Sequence, residues 1–130
     1  MDEERLRAVP LFAGLDKKEC QTLAQFADEM DFGEGRELAK EGEFAYEFFV
    51  IEEGTAEVTH DGECIARLGP GDFFGELGIL AAERRMATVT TTSPVQVVVL
   101  TRGALRTVQR EHPQVAARLQ AAIDERFAPA

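Results

Sequence analysis

The residue types that could do chemistry are concentrated between positions 71 and 91, where the chain reads GDFFGELGILAAERRMATVTT. Gly71, Gly75 and Gly78 let the backbone turn tightly and come close to a ligand. If Glu76 opens a short helix, its first N–H groups lack helical partners and form an anion site. Arg84 and Arg85 follow eight and nine residues after Glu76. Arginine supplies a planar fork of donors suited to phosphate oxygens. A carboxylate beside a phosphate would ordinarily repel it, so Glu76 is informative. It makes sense as the acceptor for a hydroxyl on the same ligand. Phosphate and hydroxyl on one small molecule point to a nucleotide.

The rest of the composition bounds this reading. The chain has 130 residues, with 24 acidic and 14 basic side chains and a formal net charge of −10. Such a chain forms one domain and buries a core without disulfides or metals. The acidic balance argues against direct binding of nucleic acid, whose phosphates are met mainly by Lys and Arg. It argues equally against an anionic membrane surface. An anionic ligand must therefore be captured by local geometry working against the general field. Cys20 and Cys64 are too few for a disulfide framework, and the N-terminus lacks the pattern of a signal peptide, so a cytoplasmic location is expected. His60 and His112 lie far apart and read as surface residues, so no metal cluster is expected. No Ser/His/Asp or Cys/His arrangement stands out, and no enzyme is expected.

Three parts must position the chemistry. Residues 1–34 read as helical. Asp16 caps a helix with Glu19 three residues on, and Cys20, Leu23, Ala27 and Met30 recur at helical spacing. Upstream, Val9, Leu11, Phe12 and Leu15 form a short helix or turn docked on the core. Residues 35–100 change to short strands punctuated by glycine. Ala56 and Val58 alternate with Thr55, Glu57 and Thr59, and Asp61-Gly62 is a strong hairpin signal. Strands at this spacing suggest an antiparallel sandwich or barrel. Residues 101–127 are helical again. Thr101 is the N-cap of a helix carrying Leu105 and Val108. His112-Pro113 separates it from a second helix with Val115, Leu119, Ala122 and Ile123 on its apolar face.

The segment Phe74-Gly75-Glu76-Leu77-Gly78-Ile79-Leu80, followed by Arg85-Met86-Ala87-Thr88, resembles the phosphate-binding cassette of the cyclic nucleotide-binding domains. Bacterial catabolite activators and the regulatory subunits of cyclic-AMP-dependent protein kinase belong to that family. LGPGDFFGEL, EGEFAYEFFVIEEGTAEV, VPLFAGL and REHPQVAARL extend the resemblance over essentially the whole chain. It implies an α+β fold: an antiparallel β-barrel or jelly roll of about eight strands, with N-terminal helices, a short cassette helix and two C-terminal helices. By matching position, Arg85 pairs with the cyclic phosphate and Glu76 accepts the ribose 2′-hydroxyl. Phe74, Gly75, Leu77, Gly78 and the backbone amides at Met86 and Ala87 complete the shell. Arg84 stands where proline is common, as a solvated neighbour. The C-terminal helix becomes a lid, with Arg126 or Phe127 stacked on the purine; a frayed terminus is the competing reading of those two.

Two departures from the family pattern stand out. Tyr46 replaces a common acidic residue, a change read as touching the barrel surface. Met86 replaces Ser, Thr or Ala, and offers guanine no hydrogen bond, which favours cyclic AMP over cyclic GMP. The resemblance implies no cofactor beyond this ligand. It implies a regulatory sensor that signals through its C-terminal helix to an effector protein or fused domain, with a homodimer as a further arrangement. The alternative is a degenerate domain with an empty pocket, acting in docking or dimerisation.

Overall fold

The computed structural model describes residues 1–44, 46–75 and 84–127, with backbone alone for 126 and 127. Two short helical pieces open the chain, α1 (Glu3–Arg7) and a 3₁₀ turn (Pro10–Phe12), followed by α2 (Lys17–Ala24). The Asp16 carboxylate accepts from Glu19 N at 2.8 Å, while the Glu19 carboxylate accepts from Asp16 N at 3.0 Å. That reciprocal box satisfies two orphan amides and fixes where α2 begins.

Eight strands follow: β1 (Asp28–Phe32), β2 (Glu37–Ala39), β3 (Glu47–Glu53), β4 (Ala56–His60), β5 (Glu63–Leu68), β6 (Phe73–Phe74), β7 (Thr88–Thr91) and β8 (Val95–Thr101). They form two antiparallel four-stranded sheets rather than a single closed barrel. Sheet I has the order β1-β8-β3-β6 and sheet II the order β2-β7-β4-β5. The β4–β5 turn has Asp61 at φ 51° and Gly62 at φ 81°, the left-handed pair a tight hairpin requires.

β1 corrects the expectation that residues 1–34 are helical. Met30, expected on the buried face of a helix, instead lies in β1 and is exposed. Helix α2 ends at Ala24, and Asp28–Phe32 pairs in full register with Val95–Val99 of β8. A long-range ladder has overridden the local spacing.

Sheet I is covered on both faces. Phe49, Ile51, Phe74, Val97 and Val99 point between the sheets, meeting Ala39, Ala56 and Val89. Phe48, Val50, Phe73, Val98 and Leu100 point the other way, into a core built with the helices. This is why FFVI and VVVL are unbroken apolar runs while β4 alternates. The two closing helices are α3 (Arg102–Glu111) and α4 (Pro113–Phe127). Thr101 Oγ1 accepts from Ala104 N at 3.1 Å, the expected N-cap. Val108, Val115, Leu119 and Ile123 are buried against sheet I, as the sequence pattern predicts. No helix among the described residues is long and apolar enough to cross a membrane.

Candidate functional site

Gly75 and Arg85, ten positions apart, come together at the end of β6. Strand β6 is two residues long, and Phe74 stacks on its pairing partner Phe49 with ring centroids 4.9 Å apart. That stack holds the chain where Gly75 leaves the sheet at φ 96°. A Cβ on Gly75 would run into the Arg85 guanidinium and lie 2.7 Å from the Glu47 carbonyl oxygen. Only glycine admits both the backbone angle and the close approach.

Arg85 is held by its backbone and its side chain. Its N–H donates to Glu43 O at 2.7 Å, and its carbonyl accepts from Gly42 N at 2.9 Å. Its Nη2 donates to Glu47 O at 2.6 Å. The turn between β2 and β3 is thus stitched to the arginine, and the guanidinium is part-buried beside Gly75. A cation fixed in this way offers its fork to an anion at little further ordering cost.

Arg84 behaves differently. It is exposed, donates through Nη1 to Gly42 O at 2.6 Å, and lies over the Phe44 ring at 4.4 Å. It is therefore a surface residue with fixed partners, not simply a solvated one. An open cleft runs beside the two arginines, lined also by Leu38, Lys40, Phe44 and Tyr46. Tyr46 is exposed, yet it borders this cleft instead of sitting on a remote part of the sheets. Met86 is 77% exposed and Ala87 half-buried. Glu76, Leu77 and Gly78, with the expected cassette helix, lie outside the described residues. Arg126 and Phe127 close α4, but their side chains fall outside the description too.

Sequence reasoning missed two partners. One is the Glu47 carbonyl that anchors Arg85; a backbone acceptor leaves no signature in residue type. The other is His60, expected to be a plain surface residue. It is half-exposed, but its Nδ1 lies 3.0 Å from the Met86 carbonyl oxygen. It also approaches Glu41 Oε2 at 3.3 Å and Asp61 Oδ2 at 3.4 Å. Glu41, His60 and Asp61 bring ligand-type atoms within 4.8 Å of one another, but their contacts with each other and with Met86 account for the cluster without an ion. Away from this region, α3 and α4 form an apolar groove of about 240 Å³ over Phe48. Among the described residues, no charged side chain lines it.

Comparison with known proteins bears on the same region. The family model described as the cyclic nucleotide-binding domain matches residues 29–112. The N-terminal domain of a transcriptional regulator from Streptomyces coelicolor is 30% identical, with a TM-score of 0.79 over 95% of this chain and 91% of that one. The regulatory domain of Toxoplasma gondii protein kinase A, solved with cyclic AMP, is 26% identical, with a TM-score of 0.74 over 95% of this chain and 48% of that one. The catabolite activator protein of Thermus thermophilus is 26% identical, with a TM-score of 0.76 over 91% of this chain and 58% of that one. The chain thus spans most of the first of these, and about half the length of the other two.

Proposed function

The chain belongs to the cyclic nucleotide-binding domain family, and from that membership we propose that it is a ligand-binding sensor that captures a cyclic nucleotide in the cradle of Gly75 and Arg85. The observation that carries this reading is the Arg85 guanidinium seated against Gly75 and fixed on the Glu47 carbonyl. A phosphate is held by a net −10 chain only if a local cation and nearby amides outweigh the general field. Arg85 is that cation. Glu76 accepts the ribose 2′-hydroxyl, and Phe74, Leu77 and Gly78 belong to the same binding segment. Met86 and Ala87 contribute backbone amides. The role is binding and regulation, not catalysis.

Cyclic AMP is the preferred ligand over cyclic GMP, because Met86 has no group to meet the guanine amino substituent. The Toxoplasma gondii structure contains cyclic AMP, which is consistent with this choice. The signal leaves through α4, whose end at Arg126 and Phe127 closes over the base. It is read by an effector protein or fused domain, or across a homodimer. Ligand shifts a population between arrangements of that helix instead of creating a new one.

Calorimetric titration of the chain with cyclic AMP and cyclic GMP tests the reading. Arg85→Ala is expected to weaken cyclic AMP binding by about ten- to a hundredfold, from the loss of a charge-assisted hydrogen bond of about 1.5–3 kcal/mol. Arg84→Ala is expected to cost several-fold at most. A greater loss from Arg84→Ala moves the register by one residue. No binding of either nucleotide by the wild type at millimolar concentration replaces the sensor with a degenerate docking module.

A further inference from the structure

We propose that His60 is a positioning residue for anion capture: from the end of β4 it fixes the direction of the peptide unit joining Met86 and Ala87. This rests on the cradle reading above and extends it to a residue on a different hairpin.

The geometry starts from the Met86 carbonyl. A carbonyl oxygen can only accept, so His60 Nδ1, 3.0 Å away, carries the hydrogen of this contact. A trans peptide is planar, with its C=O and N–H pointing in opposite directions. Holding the Met86 carbonyl therefore sets the direction of the Ala87 N–H. That amide is one of those assigned above to the phosphate.

The surrounding chain explains why a side chain is needed here. Arg85 is pinned at its backbone by Gly42 and Glu43, and Thr88 enters β7 opposite Thr59 of β4. Met86 and Ala87 span the gap between these two anchors. The Met86 side chain is 77% exposed, so it gives the segment little packing against the described residues. His60 supplies one from 26 positions away.

Two carboxylates flank the imidazole. Glu41 Oε2 lies 3.3 Å from Nδ1, and Asp61 Oδ2 lies 3.4 Å from Nε2. Glu41 also accepts from Asp61 N at 3.3 Å, and its own N–H donates to Thr88 Oγ1 at 3.1 Å. One knot thus joins the turn before β3, the β4–β5 turn and the start of β7.

The test compares His60→Ala with His60→Gln in the full chain, since a glutamine amide can also donate to the carbonyl. In the ligand-free protein, amide hydrogen exchange at residues 86–88 is expected to speed up about fivefold in His60→Ala and to stay within twofold of wild type in His60→Gln. Calorimetric affinity for cyclic AMP is expected to fall about three- to tenfold in His60→Ala and to be largely restored in His60→Gln. Unchanged exchange in His60→Ala overturns the proposal, whatever the ligand result. Equal loss of affinity in both variants, tracking a fall in Tm, overturns it as well, because that describes a merely structural residue. If the wild type binds no cyclic nucleotide, the sensor reading fails, and the exchange measurement alone decides whether His60 positions this peptide.

Discussion

A single methyl group at position 75 tests the cradle at the scale of one residue. Gly75 sits at φ 96°, and the added Cβ would displace the Arg85 guanidinium or press on the Glu47 carbonyl. Gly75→Ala is expected to lower stability by about 1–2 kcal/mol, because a left-handed angle and a steric conflict coincide. It should also weaken cyclic AMP binding by more than tenfold. Thermal melting and calorimetry read the two effects separately, and no change in either would contradict the geometry. Glu52 offers a second test. Burial raises its carboxyl to about 7, helped by the hydrogen bond with Glu29 and that residue's charge, while Arg5 pulls the other way. The folded value lies above the ordinary one, so the folded state holds its proton more tightly than the unfolded chain. Stability from this group is present below about 4.5 and is lost as pH rises through about 7. Glu52→Gln should therefore raise Tm at pH 8, with the gain shrinking towards pH 4.5; a difference independent of pH would refute it. The sequence was legible where local spacing carries the information, as in the Asp16–Glu19 box and the Asp61-Gly62 turn; Arg85 is singled out over Arg84 only by the register of the family resemblance. It was silent on Glu47 and His60. Their contacts cross 38 and 26 positions and end on backbone carbonyls, which any residue type provides.

Among the elements, α2 shows how a local signal acquires a distant use. Glu19 closes the capping box with one oxygen and takes Arg118 Nε of α4 at 3.1 Å with the other. It is 7% exposed. Glu19→Ala should cost about 1–2 kcal/mol, or a Tm fall of roughly 3–7 °C for a domain of this size. Arg118→Ala should cost less, since that side chain is half-exposed and the cap survives. Combining the two should add little to Glu19→Ala alone. Additive losses in a melting cycle would show that the residues act independently. The box was readable because its parts lie three residues apart, and the same holds for the Thr101 cap and the break at Pro113. Strand β1 was not readable. Its residues carry no strong alternation, and what makes them a strand is β8, almost seventy positions later.

At the scale of the molecule, the antiparallel β-class and the flanking helices followed from pattern, but the order β1-β8-β3-β6 did not. Ladder partners far apart in sequence are chosen by which apolar faces must be buried together, and short strands underdetermine that choice. The outcome is a sheet with two packed faces. Along β3, Phe49 and Ile51 look toward sheet II while Phe48 and Val50 look toward α3 and α4. Phe48 also floors the groove between those helices, and Glu47 at the start of the strand holds Arg85. One strand is therefore a wall shared by two rooms. Thermodynamic reciprocity then applies. Whatever factor a cyclic nucleotide imposes on the affinity of a helix-face partner, that partner must return to the nucleotide in equal measure. On the sensor reading proposed above, a protein docked over α3 and α4 would in this way set the concentration of messenger needed to fill the site.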